Sequence, residues 1–410
     1  MKAAIISVGD ELISGQSFDT NSAYLADQLL NIGIKPISFQ VVGDDINDIE
    51  NAIRNRLDSV ELILMTGGLG PTEDDLTRFG LANVLGCELS LREDCLQKIV
   101  NRFAVLDRPM SPSNKIQAMI PTQAEPIDNN VGTAPGISAQ IGNTKIFIFP
   151  GVPREMKQMF ADYVLPTLPK SKIITKNIVS LFGTGESVFG EKIADLMNRD
   201  DITVGITVSN PEISVRILSE GKTEEQASAK ANEIIDELKN RLGDLVVGVG
   251  AENKIPQVVS DMLREKGKTL SCAESCTGGL VSKLITDLSG SSSIFQGAMV
   301  TYSNEVKIEN LGVPAELVEN FGAVSEQVAK SMAENAIAKF DTDFSIAITG
   351  IAGPTGGTDA KPVGLVYIAI ANQNEVKVFE NHFSGTRELI RKKAALTALN
   401  NLRLMLKHAD

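Results

Sequence analysis

Along the first 166 residues, apolar and polar positions fall into blocks that predict strands and helices in turn. The runs Lys2–Val8, Lys35–Val42, Val60–Met65 and Lys145–Phe149 are rich in Ile, Val, Leu and Phe and have strand length. Thr20–Asn31, Asp45–Leu57, a segment opening near Glu73 and Arg154–Val164 carry the wider apolar spacing of amphipathic helices. This rhythm predicts a parallel sheet covered by helices on both faces. Pro166-Thr167-Leu168-Pro169-Lys170-Ser171 then reads as a boundary. Beyond it the order changes to strand Asn177–Phe182, helix Glu186–Met197, strands Ile202–Val208 and Glu212–Leu218, charged helix Glu224–Leu242 and strand Asp244–Val249. That is a small α+β unit of the split-βαβ kind. From 251 onward the pattern returns to α/β. Helix Ile255–Lys266 leads to strand Lys268–Cys272, and a second helix carries Leu280, Val281, Leu284, Ile285 and Leu288. Strands Gly297–Tyr302, Phe344–Thr349, Gly364–Ala371 and Val376–Phe383 follow, then helix Arg387–Lys407. The predicted class is α/β: two three-layer α/β domains, 1–168 and 251–410, joined by a small α+β domain, 169–250.

Composition narrows the picture. With 43% hydrophobic and 22% charged residues, the 410-residue chain has material for several cores and does not resemble a disordered protein. A net charge of −13 argues against non-specific nucleic-acid or anionic-membrane binding. No apolar run approaches the roughly eighteen residues of a membrane span. The chain enters strand Ala3–Val8 without a signal-peptide pattern, and the expected location is the cytoplasm. Cys87, Cys95, Cys272 and Cys276 form no zinc pattern and read as reduced core thiols. The two histidines, His382 and His408, lie near the C-terminus, so acid–base work falls on carboxylates, lysine, tyrosine or a metal-bound water.

The richest chemistry lies at Ala273-Glu274-Ser275-Cys276-Thr277-Gly278-Gly279, a strand-to-helix turn. A serine there is exposed, the glycines admit a ligand close to the backbone, and free N–H groups can hold an oxyanion. Lacking a suitable histidine, Ser275 needs another base, and Lys307 in Tyr302-Ser303-Asn304-Glu305-Val306-Lys307 is the candidate, with Tyr302 to orient it or relay a proton. The loop Thr349-Gly350-Ile351-Ala352-Gly353-Pro354 and Arg387, after Ser384-Gly385-Thr386, complete a ligand site at strand ends. Thr277, Gly278, Gly279, Thr349, Gly350 and Gly353 cradle the ligand in this reading, and Arg387 clamps a phosphate. Taken singly, Ser275 also reads as a helix N-cap and Lys307 as a solvated surface lysine.

In the N-terminal part, Gly9-Asp10-Glu11 and Thr66-Gly67-Gly68-Leu69-Gly70-Pro71-Thr72-Glu73-Asp74-Asp75 put glycine amides beside carboxylates at strand ends. Such loops suit a phosphate or pyrophosphate bridged by a divalent cation. Asp10, Asp74 and Asp75 are the metal-side candidates; Asn21, Gly67 and Gly68 are the ligand-side ones. The alternative makes Asp74 and Asp75 helix-start acids and Asp10 a turn residue.

The strings AESCTGG, VTYSNEVK, GAVSEQV (Gly322–Val328), TGIAGPTGG and FSGTR, in this order over about 255–407, resemble the C-terminal domain of the competence/damage-inducible protein A family and the stand-alone bacterial nicotinamide mononucleotide (NMN) amidases. The resemblance implies hydrolysis of the NMN carboxamide to nicotinic acid mononucleotide and ammonia, with Ser275 as nucleophile, Lys307 as its partner and no cofactor. The N-terminal strings, over about 1–166, resemble the MoaB/MogA-like molybdopterin-binding fold of the same family. That likeness implies an ADP-ribose pyrophosphatase using Mg, Mn or Co, or alternatively molybdopterin binding, and a homodimer. A different class of reading makes the chain a regulatory protein of competence or DNA repair acting through a protein partner; the acidic balance argues against direct nucleic-acid contact.

Overall fold

The computed structural model describes residues 1–169, 173–197, 202–209 and 211–408. Lys170 and Ser171, at the end of the expected boundary, lie outside the described residues. Backbone packing divides the chain into two compact units, Met1–Thr175 with Glu220–Ala227, and Lys176–Ser219 with Ser228–Asp410.

The sheet of the first unit runs Lys35–Val42, Lys2–Val8, Leu62–Thr66, Thr144–Phe149, Gly136–Ile141, Glu125–Ile127. Its first four strands are parallel, as the alternating pattern predicts, but the last two are antiparallel. The reason is local: Gly142, at φ 55°, and Asn143 join two strands by a hairpin too short for a crossover. Alternate residues of each central strand feed two cores. Ala4, Ile6, Ile63 and Met65 meet Ile49, Ile53 and Leu81 on one face, and Ile5, Leu64, Phe147 and Phe149 meet Leu25, Leu29 and Phe160 on the other. The helix expected from Glu73 begins at Thr77, because the preceding acid serves the loop instead of the helix. Helix Glu93–Val105 was not singled out by the apolar pattern.

A four-stranded sheet lying mostly in the second unit (Ile202–Ser209, Glu212–Gly221, Ile173–Leu181, Val246–Val249) buries Val179, Val215 and Ile217 against helices that supply Phe189, Ile193, Ile234 and Leu238. The larger sheet runs Phe295–Val300, Leu270–Glu274, Phe344–Gly350, Leu365–Asn372, Val376–His382, with the first three strands parallel and the last two antiparallel. Its two faces differ. Cys272, Ile346, Ile348, Ile368 and Ile370 pack under helices Ile255–Glu265 and Arg387–His408. Opposite them lie Ala273, Ala347 and Ala369, in register across three strands, where small side chains let helix Glu326–Phe340 approach closely. The architecture is two three-layer α/β arrangements with a small α+β unit between them in sequence. Among the described residues no helix is long and apolar enough to cross a membrane. The four cysteines are free thiols, with Cys95, Cys272 and Cys276 buried.

Candidate active site

The Ser275 turn grows from the buried strand Leu270–Glu274, flanked on both sides by parallel strands. Ser275 extends the ladder by one bond, its N–H donating to the Ile348 carbonyl at 2.9 Å. The chain then turns through Gly278 and Gly279, both left-handed at φ 57° and 90°, into helix Leu280–Thr286. That backbone conformation favours glycine. The reading of Ser275 as a helix cap fails here. The N-cap position is Gly279, and the capping is done by Glu274, wholly buried, whose carboxylate accepts from Val281 N–H (3.1 Å), Ser282 N–H (2.9 Å) and the Ser282 hydroxyl (2.7 Å). Glu274→Ala strands three donors, one buried and two part-buried, so it is expected to cost about 3 kcal/mol, read as a melting temperature lower by roughly 6–12 °C; an unshifted melting curve would contradict this role.

Lys307 sits in the turn Val306–Asn310 and is only 1% exposed. Its Nζ lies 3.1 Å from Ser275 Oγ, 2.8 Å from the Thr301 carbonyl and 3.3 Å from the Tyr302 carbonyl. Burial pushes the Lys307 ammonium below the ordinary lysine range, against the weaker attraction of Cys276 and Glu305. A neutral amine has two N–H groups and one lone pair. With both N–H groups donated to the two carbonyls, the lone pair is left for the Ser275 hydroxyl proton. The histidines stand apart: His382, on an outer strand, bonds Glu380 at the surface.

Several ligand-side residues take other roles than expected. Tyr302 contributes its carbonyl to Lys307, whereas its exposed phenol accepts from Arg387 at 3.0 Å; as placed, the phenol is not the proton relay. Arg387 also donates to the Gly353 carbonyl at 2.8 Å, so it ties the glycine loop to Tyr302. The Thr349 hydroxyl donates to Ala323 at 2.7 Å and braces the chain before helix Glu326–Phe340. Gly350 ends its strand where a Cβ would meet Val366 Cγ2 at 2.7 Å, and Gly353 has φ 73°. Gly278 N–H is taken up by the Ser275 carbonyl at 3.1 Å, but the N–H groups of Cys276 and Thr277 make no hydrogen bond among the described residues. Sequence reasoning missed Glu274 and Arg391. Arg391 donates from Nε to the Cys276 carbonyl (3.1 Å) and from Nη2 to the Thr277 carbonyl (2.6 Å). Its signal was the one-turn spacing from Arg387 on the same helix.

In the first unit, a cleft of about 420 Å³ is lined by Gly67, Gly68, Asp74, Asp75, Asp44 and Glu155, among others. A Cβ on Gly67 would lie 2.1 Å from the Val8 carbonyl, and one on Gly68 2.1 Å from Thr77 Oγ1, so both positions exclude larger residues. Asp75 organises the loop: its carboxylate accepts from Gly70 N–H (2.6 Å), Thr72 N–H (2.8 Å) and the Thr72 hydroxyl. Arg78, 1% exposed, donates to the Leu69 and Gly70 carbonyls beneath that loop, and burial pushes its guanidinium down to about 10. Asp10 pairs with Asp44, each backbone N–H donating to the other's carboxylate. Burial raises the Asp44 carboxyl, and the charges of Asp10, Glu11 and Asp74 add to the rise while the Asp10 N–H opposes it. Asn21 is buried away from the cleft lining and bonds Thr66 and Gly151. Asp10 and Asp75 spend carboxylate oxygens on these loop bonds, and the expected Asp10–Asp74–Asp75 set is not found as a group arranged to hold an ion. Among the described residues no group of three or more His, Cys, Asp or Glu is arranged to hold a metal ion.

Three family models match this chain: a probable molybdopterin binding domain over residues 4–170, a damage-inducible protein CinA KH domain over 176–248, and a CinA C-terminal domain over 252–406. A putative competence-damage inducible protein of Halothermothrix orenii is 41% identical over 94% of both chains. A CinA-like protein of Syntrophomonas wolfei is 40% identical over 99% of both. Among solved structures, a protein CinA with unknown function from Thermoplasma acidophilum is 37% identical, covering 39% of this chain and 94% of its own, with a TM-score of 0.37.

Proposed function

This chain belongs to the CinA family, whose relatives match it almost end to end, and on that premise we propose that it hydrolyses the carboxamide of nicotinamide mononucleotide through Ser275 and Lys307. The observation that carries the reading is a buried lysine, its Nζ 3.1 Å from the serine hydroxyl and braced by two carbonyls.

Ser275 Oγ bonds to the carboxamide carbon while its proton passes to Lys307 Nζ. The carbonyl oxygen becomes an oxyanion, held by the unpaired N–H groups of Cys276 and Thr277. As the C–N bond breaks, Lys307 returns the proton to the nitrogen and ammonia leaves. Water then adds to the ester with Lys307 again as base. Cleavage of the Oγ–C bond restores the Ser275 hydroxyl and releases nicotinic acid mononucleotide. The purified full chain is expected to convert NMN to this acid with one ammonia per turnover, and to act far more slowly on nicotinamide, which lacks the ribose phosphate. Turnover of neither compound would reject the reading.

For the cleft of the first unit we propose a phosphate-bearing nucleotide of the ADP-ribose kind, supported by the unpaired amides of Gly68 and Leu69 above the buried Arg78 charge. The Asp10–Asp74–Asp75 set does not fit a protein-held metal, and no step is drawn through one. Gly68→Ala adds strain at φ 67° and a clash with Thr77. It is expected to weaken ADP-ribose binding to the full chain by about tenfold or more, measured calorimetrically with the melting temperature as a folding control. Unchanged affinity in a folded variant would count against this ligand site.

A further inference from the structure

Two peptide groups carry the free N–H donors of the nucleophile turn, and the carbonyl of each is engaged. The Cys276 N–H shares its peptide with the Ser275 carbonyl, which accepts from Gly278. The Thr277 N–H shares its peptide with the Cys276 carbonyl, which accepts from Arg391. The same guanidinium holds the Thr277 carbonyl at 2.6 Å, so one rigid fork fixes two consecutive peptides. A cation on a carbonyl draws electron density from the attached nitrogen and strengthens its N–H as a donor. The guanidinium lines a groove whose apolar part is Leu280, Leu284, Leu288 and Leu396 and whose charged part includes Glu388, Asp287 and Lys392. Its helix is locked by the buried Ile390, Ala394 and Ala395 on either side of Arg391. A Cβ on Gly278 would stand 3.4 Å from Arg391 Nη2, in ordinary contact, so the guanidinium lies directly against the turn.

We infer that Arg391 is a positioning residue of this centre, orienting and polarising the Cys276–Thr277 peptide so that the Thr277 N–H can hold a developing oxyanion. The inference rests on Ser275 acting as an acyl-transfer nucleophile, as proposed above. Arg391 is given no contact with substrate. It therefore governs kcat, through a donor whose strength matters most in the transition state, and leaves KM little changed.

The test compares the full-length wild type with Arg391→Ala and Arg391→Lys in two assays, with melting temperatures to confirm folding. The first is NMN turnover. The second is covalent labelling of Ser275 by diisopropyl fluorophosphate. There an Oγ–P bond forms, the P–F bond breaks, the Oγ proton goes to Lys307 and fluoride leaves, with charge building on the phosphoryl oxygen. Arg391→Ala is expected to slow both by about 30- to 300-fold, with KM within about threefold of wild type and added guanidinium ion partly restoring the rate. Arg391→Lys, which keeps the charge but not the fork, is expected to fall between the two. Labelling of a folded Arg391→Ala at the wild-type rate, or a raised KM with kcat preserved, would overturn the inference. If the wild type is labelled at Ser275 but leaves NMN untouched, the amidase reading fails while the labelling rates still decide the role of Arg391. A wild type unlabelled at Ser275 overturns both.

Discussion

Lys307→Met is expected to abolish the proposed amide hydrolysis, lowering kcat by about ten-thousand-fold or more, because Lys307 is the base hydrogen-bonded to Ser275 in the described site. The methionine keeps the length of the stem and removes the titrating group. On the proposed mechanism, the acid limb of the wild-type kcat/KM is expected to report the free Lys307 ammonium losing its proton, with activity rising as pH rises. The limb is centred below the ordinary lysine value of about 10.4, in the direction that burial moves this group. Stability follows the same linkage. The folded lysine binds its proton more weakly than the unfolded one, so folding is penalised at pH values below the folded pKa. That penalty lifts as pH rises towards the unfolded value. Relative to wild type, Lys307→Met is therefore most stable near neutrality and loses ground as pH approaches about 10. Denaturant titrations of both proteins across this range check the sign; a stability difference that does not vary with pH would contradict it.

Ser275→Ala is expected to lower kcat by a comparable factor, about ten-thousand- to a million-fold, with NMN still bound within about threefold of the wild-type affinity. The alanine keeps the backbone bond to Ile348 that sets the turn, and the Glu274 cap is untouched. What is lost is the Oγ proposed as nucleophile and one of the three polar partners of Lys307 Nζ. Calorimetric binding of NMN to the variant separates loss of chemistry from loss of the pocket: a variant that neither binds nor turns over would point to a collapsed turn.

The strands and helices that frame the site were legible because their apolar periods are strong; Thr20–Asn31, Lys35–Val42 and Glu224–Leu242 occur with the predicted ends. The apolar run before Ser275 predicts a strand at Lys268–Cys272, whereas the strand runs Leu270–Glu274. A glutamate ends an apolar run on paper, whereas here the next helix supplies its hydrogen bonds. Lys307 follows Ser303, Asn304 and Glu305, a polar string that reads as solvent-facing, and only the fold shows it buried. The same holds for Arg78, which sits beyond three acids, Glu73 to Asp75, yet points inward to carbonyls. Asp75 was misjudged for the converse reason, since an acid after a glycine loop resembles a metal ligand until its partners at Gly70 and Thr72 are seen. Charged residues lend themselves to such errors because their partners are set by tertiary contacts and not by period.

The central claim is that Ser275 and Lys307 form an amide-cleaving pair. Its most direct test is ammonia release from nicotinamide mononucleotide by the purified full chain, run beside Ser275→Ala. The account predicts steady ammonia release by the wild type and none above background from the variant. Equal release by the two proteins would contradict it.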